Sequence, residues 1–248
     1  MTIEFIAILA AGAALGGFVN GLAGFGTALF ALGFWLQILP PLEAVSLVAL
    51  MSVVSGLQGV WVVRRSVLDN PRRLARFLVP AVFGIPAGIA ALTIFPPLVI
   101  KLVIAAMMIV YGGFFSLRSA LPRFERPTPV ADGVVGFLGG VLGGAASLSG
   151  ALPTMWCSMR PWPKAEIRAV LQPFNVIVLG LTALGFAFKG VYGFHTLKLI
   201  AVTLPMTLIF AQIGIITFRR LNDDQFRRLI IALMFVSGSV LLAKEVFG

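Results

Sequence analysis

Charge is scarce in this 248-residue chain. Lys, Arg, Asp and Glu together make up 11% of it, less than half of the roughly 25% usual in a soluble domain. Hydrophobic residues make up 59% and the mean hydropathy is +1.03, which leaves too few polar side chains to cover a soluble fold and calls for an exterior of lipid. Cysteine is nearly absent too: Cys157 alone excludes an intramolecular disulfide and any cysteine-based metal cluster. With one histidine and nine acids, the chain offers no nucleophile-and-base pair and no metal-ligand spacing. Its glycine runs neither follow a strand nor end in Gly-Lys-Ser, as a phosphate loop does. Neither an enzyme nor a cofactor is expected.

What is present in excess is positive charge, 19 Lys and Arg for a net +10. In a soluble chain this balance suggests nucleic acid. Here the cations fall in short runs between apolar stretches, as in Arg64, Arg65, Arg72, Arg73, Arg76 and in Arg219, Arg220, Arg227, Arg228. Cytoplasmic loops of membrane proteins have this pattern, so lipid is the expected partner and nucleic acid is not. The apolar N-terminal stretch has no cation before it and runs far beyond 15 residues, unlike a cleavable signal peptide.

Stretches long enough to cross a bilayer, at about 20 residues each, occur at Ala44–Val63, Phe77–Leu98, Leu102–Leu117, Ala169–Phe188 and Leu199–Phe218, with a shorter one at Leu229–Ala243. Two more are too long for one straight crossing. Phe5–Leu42 would extend about 57 Å and Gly133–Met159 about 40 Å as helix, against a hydrocarbon core about 30 Å thick. Each carries a glycine cluster near its middle, Gly16-Gly17-Phe-Val-Asn20-Gly21-Leu-Ala-Gly24-Phe25-Gly26-Thr27 and Gly136-Phe-Leu-Gly139-Gly140-Val-Leu-Gly143-Gly144-Ala-Ala-Ser147-Leu-Ser149-Gly150. Such a cluster permits either a break or close helix packing through small side chains.

Alignment of Gly21-Leu-Ala-Gly24 with Gly140-Val-Leu-Gly143 places the clusters 119 residues apart, nearly half the chain. Each precedes a proline and an acid, Pro40-Pro41-Leu-Glu43 and Pro163-Lys-Ala-Glu166. An internal repeat is expected: a first membrane repeat over residues 1–117, a Pro-containing cytoplasmic linker over 118–131, and a second repeat over 132–248. If each glycine stretch enters and returns as a hairpin, fifteen cations fall on one face and four on the other; as single crossings the division is eleven and eight. The positive-inside rule favours the hairpins. The fold class expected is therefore an all-α polytopic membrane protein of two inverted repeats, each a glycine-rich re-entrant hairpin plus three transmembrane helices, with both hairpins reaching toward the midplane where such carriers bind substrate.

At these residues the chain resembles the TauE/SafE family of bacterial permeases, associated with export of sulfite and small organosulfonates. The resemblance spans both halves, each opening with a glycine-rich segment and a following proline, joined by a charged linker. The familiar Gly-x-Gly-Gly-Gly run stands here as Gly24-Phe25-Gly26-Thr27-Ala28 and Gly143-Gly144-Ala145-Ala146-Ser147. The resemblance implies a multi-pass protein of the bacterial inner membrane with a small sulfur-containing anion as substrate.

An oxyanion in a low-dielectric site needs donors, and free backbone N–H groups at a helix start supply them, helped by hydroxyl and amide side chains. Asn20, Gly21, Gly24, Gly26 and Thr27 surround the first break, and Ser147, Ser149 and Gly150 the second. Thr27, Ser147 and Ser149 can instead bond back to carbonyls of their own helices. In the next span Arg168, Gln172 and Asn175 share a helix face, and Gln172 and Asn175 are expected to face the site. Arg168 reads first as a cation snorkelling to the headgroups and second as the anion's cytoplasmic point of access. Glu43 and Glu166 read as carboxylates favoured at helix N-termini, His195 as interfacial, and Trp35, Trp61, Trp156 and Trp162 as an aromatic belt.

No carboxylate falls deep in a span, whereas proton- and sodium-coupled carriers bury ionisable groups along their pathway. The expected function is export of the anion down the membrane potential. Proton-coupled uptake of a sulfur oxyanion such as thiosulfate or sulfate is the first alternative, and a non-transporting membrane scaffold the second. The sequence does not set the oligomeric state.

Overall fold

The computed structural model describes residues 2–94, 96, 98, 99, 102, 106, 109, 124 and 126–247. Among these every regular element is helical: α1 (Ile3–Ala23), α2 (Thr27–Trp35), α3 (Pro41–Asp69), α4 (Pro71–Ile94), α5 (Pro129–Ala146), α6 (Ala151–Ser158), α7 (Lys164–Phe188), α8 (Phe194–Arg220) and α9 (Asp223–Phe247). Among the described residues six helices, α1, α3, α4, α5, α7 and α8, are long and apolar enough to cross a membrane. The stretch expected to cross at Leu102–Leu117 and most of the linker lie outside the described residues. Pro129 takes the first position of α5, where a missing N–H costs nothing.

Both long uncharged stretches are broken helices. α1 ends at Gly24 (φ 87°) and α2 starts after Gly26 (φ 104°), left-handed conformations that favour glycine. α2 then folds back along α1. A Cβ at Gly12 would strike Trp35 and one at Gly16 would press on Thr27 and Ala31, while the Trp35 indole donates to the Leu9 carbonyl at 3.0 Å. Trp35 is fully buried and holds the hairpin shut, so it is no member of an aromatic belt. Trp61 is exposed, with Arg64 stacked over its ring at 4.1 Å. α6 folds back along α5 in the same manner: Gly139 leaves room for Pro153, and the Trp156 indole donates to Asp132 Oδ1 at 2.7 Å.

Glycine also sets how closely the long helices approach. Side chains at Gly17 and Gly21 of α1 would run into the backbone of Thr207 and Ala211 of α8, and side chains at Gly136, Gly140 and Gly144 of α5 into that of Phe77, Ala81 and Ile85 of α4. Small residues let helix backbones meet where lipid gives no hydrophobic drive for association. α3 packs on α7, where Gly56 and Gly59 leave space for Val176 and Gln172.

Polar contacts mark the two ends of the bundle. At one end Glu43, in the first turn of α3, accepts from His195 Nδ1 at 2.9 Å and from Thr196 Oγ1 at 3.1 Å, both at the start of α8. At the other, Arg73 of α4 pairs with Glu166 of α7, and Lys164 donates to the Leu221 and Phe218 carbonyls at the end of α8. Buried Asp132 there accepts from Arg160 Nη2 at 3.0 Å. α3 and α7 therefore start at opposite ends. The hairpin α1–α2 enters beside the start of α3, and α5–α6 beside the start of α7.

Candidate functional site

The tips of the two hairpins touch, with Phe25 packed where a side chain on Gly150 would stand. Between them lies a cavity of about 10 Å³, the space of one water. Five of the residues expected at the site line it: Gly26, Thr27, Ser147, Gly150 and Asn175. The other lining residues are Phe25, Ala28, Leu29, Ser52, Leu148 and Ala151. Phe25 and Leu148 carry no polar signal beyond their place inside the breaks, and Ala28, Leu29 and Ala151 border the cavity as parts of a helix start.

The helix starts give the cavity its character. Residues 27–29 open α2, and Ala151 opens α6 after Gly150. N–H groups of a first turn have no partner within the helix, and each start carries about half a positive charge. Two buried side-chain atoms beside the cavity, Thr27 Oγ1 and Asn175 Nδ2, have no hydrogen-bond partner among the described protein groups. Asn175 is oriented by Ser149, whose hydroxyl donates to Asn175 Oδ1 at 2.5 Å, so the amide N–H groups are left over. No carboxylate is among the lining residues. The cavity wall thus combines donors with the positive ends of two helices.

The remaining expected residues stand behind this wall. Asn20 donates to the Ser52 carbonyl at 3.1 Å and to Ser55 Oγ at 2.6 Å, fixing α1 to α3. Gly21 is a packing glycine against α8. Gly24 faces Gln172 and the aliphatic stem of Arg168. Ser147 adopts φ 56°, the one left-handed non-glycine residue among those described, and donates to the Val45 carbonyl at 3.0 Å. None of Thr27, Ser147 and Ser149 bonds back to its own helix. Arg168 is fully buried, not at the headgroups. Its Nη2 donates to the Gly21 carbonyl at 2.6 Å, Nη1 to the Leu22 carbonyl at 3.4 Å and Nε to Gln172 Oε1 at 3.1 Å, and the guanidinium lies 4.2 Å above the Phe218 ring.

Membrane-length helices, two broken hairpins meeting tip to tip and a donor-lined cavity between them define a multi-pass membrane transporter. The chain belongs to the TauE/SafE family: the family model described as sulfite exporter TauE/SafE matches residues 8–241, which include both hairpins and the cavity. No curated protein and no solved structure matches it.

Proposed function

We propose that the chain exports a small sulfur-containing anion, sulfite or an organosulfonate, across the bacterial inner membrane, and that the cavity between the hairpin tips is where the anion binds. The observation that carries this reading is the pair of unpartnered buried donors, Thr27 Oγ1 and Asn175 Nδ2, beside two helix starts. An unpaired buried donor costs about 1–3 kcal/mol, a cost an oxyanion would remove. The family description supports the sulfur class. An anion leaving a cell that is negative inside gains about 2.3 kcal/mol per charge per 100 mV, and none of the lining residues is an acid that would take up a coupling proton. The cation-rich end, with Arg73, Lys164 and Arg219, is then cytoplasmic. The two halves are read as an inverted repeat, supported by α1 meeting α8 as α5 meets α4.

A sulfur oxyanion is larger than one water, so the tips must part to admit it. The structure is accordingly read as a closed form of an alternating-access cycle. The test is thermal stabilisation of purified protein by sulfite, sulfate, thiosulfate, sulfoacetate, phosphate and chloride. A ligand at 100 times its Kd adds about 2.7 kcal/mol. A selective shift with a sulfur anion, lost in Asn175→Ala, is expected. Stabilisation by none of the sulfur anions refutes the substrate class. Potential-independent efflux that follows a pH gradient would replace export with proton-coupled transport.

A further inference from the structure

The two breaks are closed differently. At the end of α5 the backbone wraps its own carbonyls: Ser147 N–H donates to Gly143 O at 2.9 Å and Leu148 N–H to Leu142 O at 3.2 Å. At the end of α1 Gly24 N–H reaches Asn20 O at 2.8 Å, and the Gly21 and Leu22 carbonyls receive the guanidinium of Arg168 from α7. A helix C-terminus carries about half a negative charge, and here it is buried. Arg168 is completely buried against it, held by Gln172 and by Phe218 of α8. Where carriers unwind a helix near their substrate, the freed carbonyls and C-terminal ends of half-helices hold the coupling sodium or proton.

We propose that Arg168 is a tethered substitute for that coupling ion: its fixed charge fills the carbonyl slot at the end of α1, so the first hairpin closes without sodium. It is a positioning residue, two turns of α7 away from Asn175 and absent from the cavity wall. One α7 helix thereby holds the first hairpin through Arg168 and the anion cavity through Asn175. Only the consequence for transport, that flux needs no sodium, rests on the reading of the chain as an anion carrier; occupation of the slot does not.

The slot is tested without substrate. Purified wild type and Arg168→Ala are melted in sodium, potassium, choline or guanidinium chloride at equal concentrations in the low millimolar range, well below denaturing levels. Guanidinium is expected to raise the Tm of Arg168→Ala by about 3 °C or more, on the order of 1 kcal/mol for a chain of this size, and to leave wild type unmoved. Absence of a guanidinium-specific rise in the variant overturns the proposal, as does a sodium-specific rise in wild type. If Arg168→Ala yields no folded protein, Arg168→Lys and Arg168→Gln carry the comparison: the lysine variant is expected to fold and melt well above the glutamine variant. Equal behaviour of the two would show that the charge is immaterial. In proteoliposomes, wild-type efflux is expected to be equal in sodium and choline media, and Arg168→Ala efflux to fall at least about tenfold and recover with guanidinium. Failure of the anion panel alone would count against the substrate reading and leave the slot standing.

Discussion

Thr27→Val should stabilise the empty protein while weakening its grip on the anion. Valine replaces the hydroxyl with a methyl of nearly the same shape, and Thr27 is buried with Oγ1 unpaired. Removing an unsatisfied buried hydroxyl relieves a desolvation cost of about 1–3 kcal/mol. Taking the lower end, the Tm of the ligand-free variant rises by about 2–4 °C. Helix propensity does not oppose this, since both residues are β-branched. In the liganded protein the same hydroxyl is expected to donate to an anion, a bond worth about 1.5–3 kcal/mol, so affinity falls about 10- to 150-fold. The assay is thermal melting of wild type and variant across a sulfite titration, which yields both quantities from one set of curves. A variant that binds as tightly as wild type removes Thr27 from the site. One that melts below wild type without ligand shows that the hydroxyl has a partner in the resting state, and the argument from unpaired donors then fails.

Other perturbations address the scaffold. Gly21→Ala places a methyl group in the backbone of Ala211 and should cost about 1–3 kcal/mol by forcing α1 from α8. Gly33→Ala, with nothing within 4 Å of the added carbon, should be neutral or stabilise α2 by up to about 1 kcal/mol; a Gly21→Ala protein that melts at the same temperature as Gly33→Ala would refute the close-packing account. Asp132→Ala deprives Arg160, Trp156 and Thr128 of their shared acceptor and should destabilise by about 3–5 kcal/mol, since it leaves a buried guanidinium with carbonyl and hydroxyl acceptors but no counter-charge. A chemical melt that moves by less than about 1 kcal/mol would contradict this. Burial holds the Tyr192 phenol above its ordinary value, and its hydroxyl donates to the Ser46 carbonyl at 3.2 Å. The folded state therefore keeps a proton that the unfolded state releases near pH 10, and stability is lost as pH rises past that point. Tyr192→Phe should be about 1 kcal/mol weaker at neutral pH yet decline less between pH 9 and 11; parallel pH profiles would refute the assignment.

The helices were legible because lipid imposes a one-dimensional rule, a long enough apolar run. The breaks were legible for a related reason: 38 uncharged residues from Phe5 exceed one crossing, and Gly24 and Gly26 supply the left-handed backbone a return needs. Register was less readable. Matching Gly21 with Gly140 follows the letters, whereas counting back from the helix ends, Gly24 after α1 and Ser147 after α5, sets Gly21 against Gly144. A run with a glycine at nearly every third or fourth place fits itself in several registers, and the letters do not say where the helix stops. Trp35 was misplaced on similar grounds. Its position at a segment end suits an interfacial belt, but the fold-back of α2 puts the Leu9 carbonyl within reach of its indole.

The site divides along the same line. Gly26, Thr27, Ser147, Gly150 and Asn175 were legible as lining of the candidate cavity, because the chemistry of oxyanion recognition names the residue types and the breaks name the place. Arg168 was not, and the reason is physical. A cation one turn into a span is ordinarily read by the side chain's own length, which is enough to reach the headgroups. Whether it turns outward or inward depends on what awaits inside. Here that is the Gly21 carbonyl, 147 residues away in sequence, freed because α1 stops at Gly24 and the chain departs in a left-handed turn. Arg168 is thus explained by a glycine in the other half of the chain. A helix that continued through Gly24 would close its own carbonyls, and a buried guanidinium beside it would have only Gln172 and the face of Phe218 to repay several kcal/mol of lost hydration.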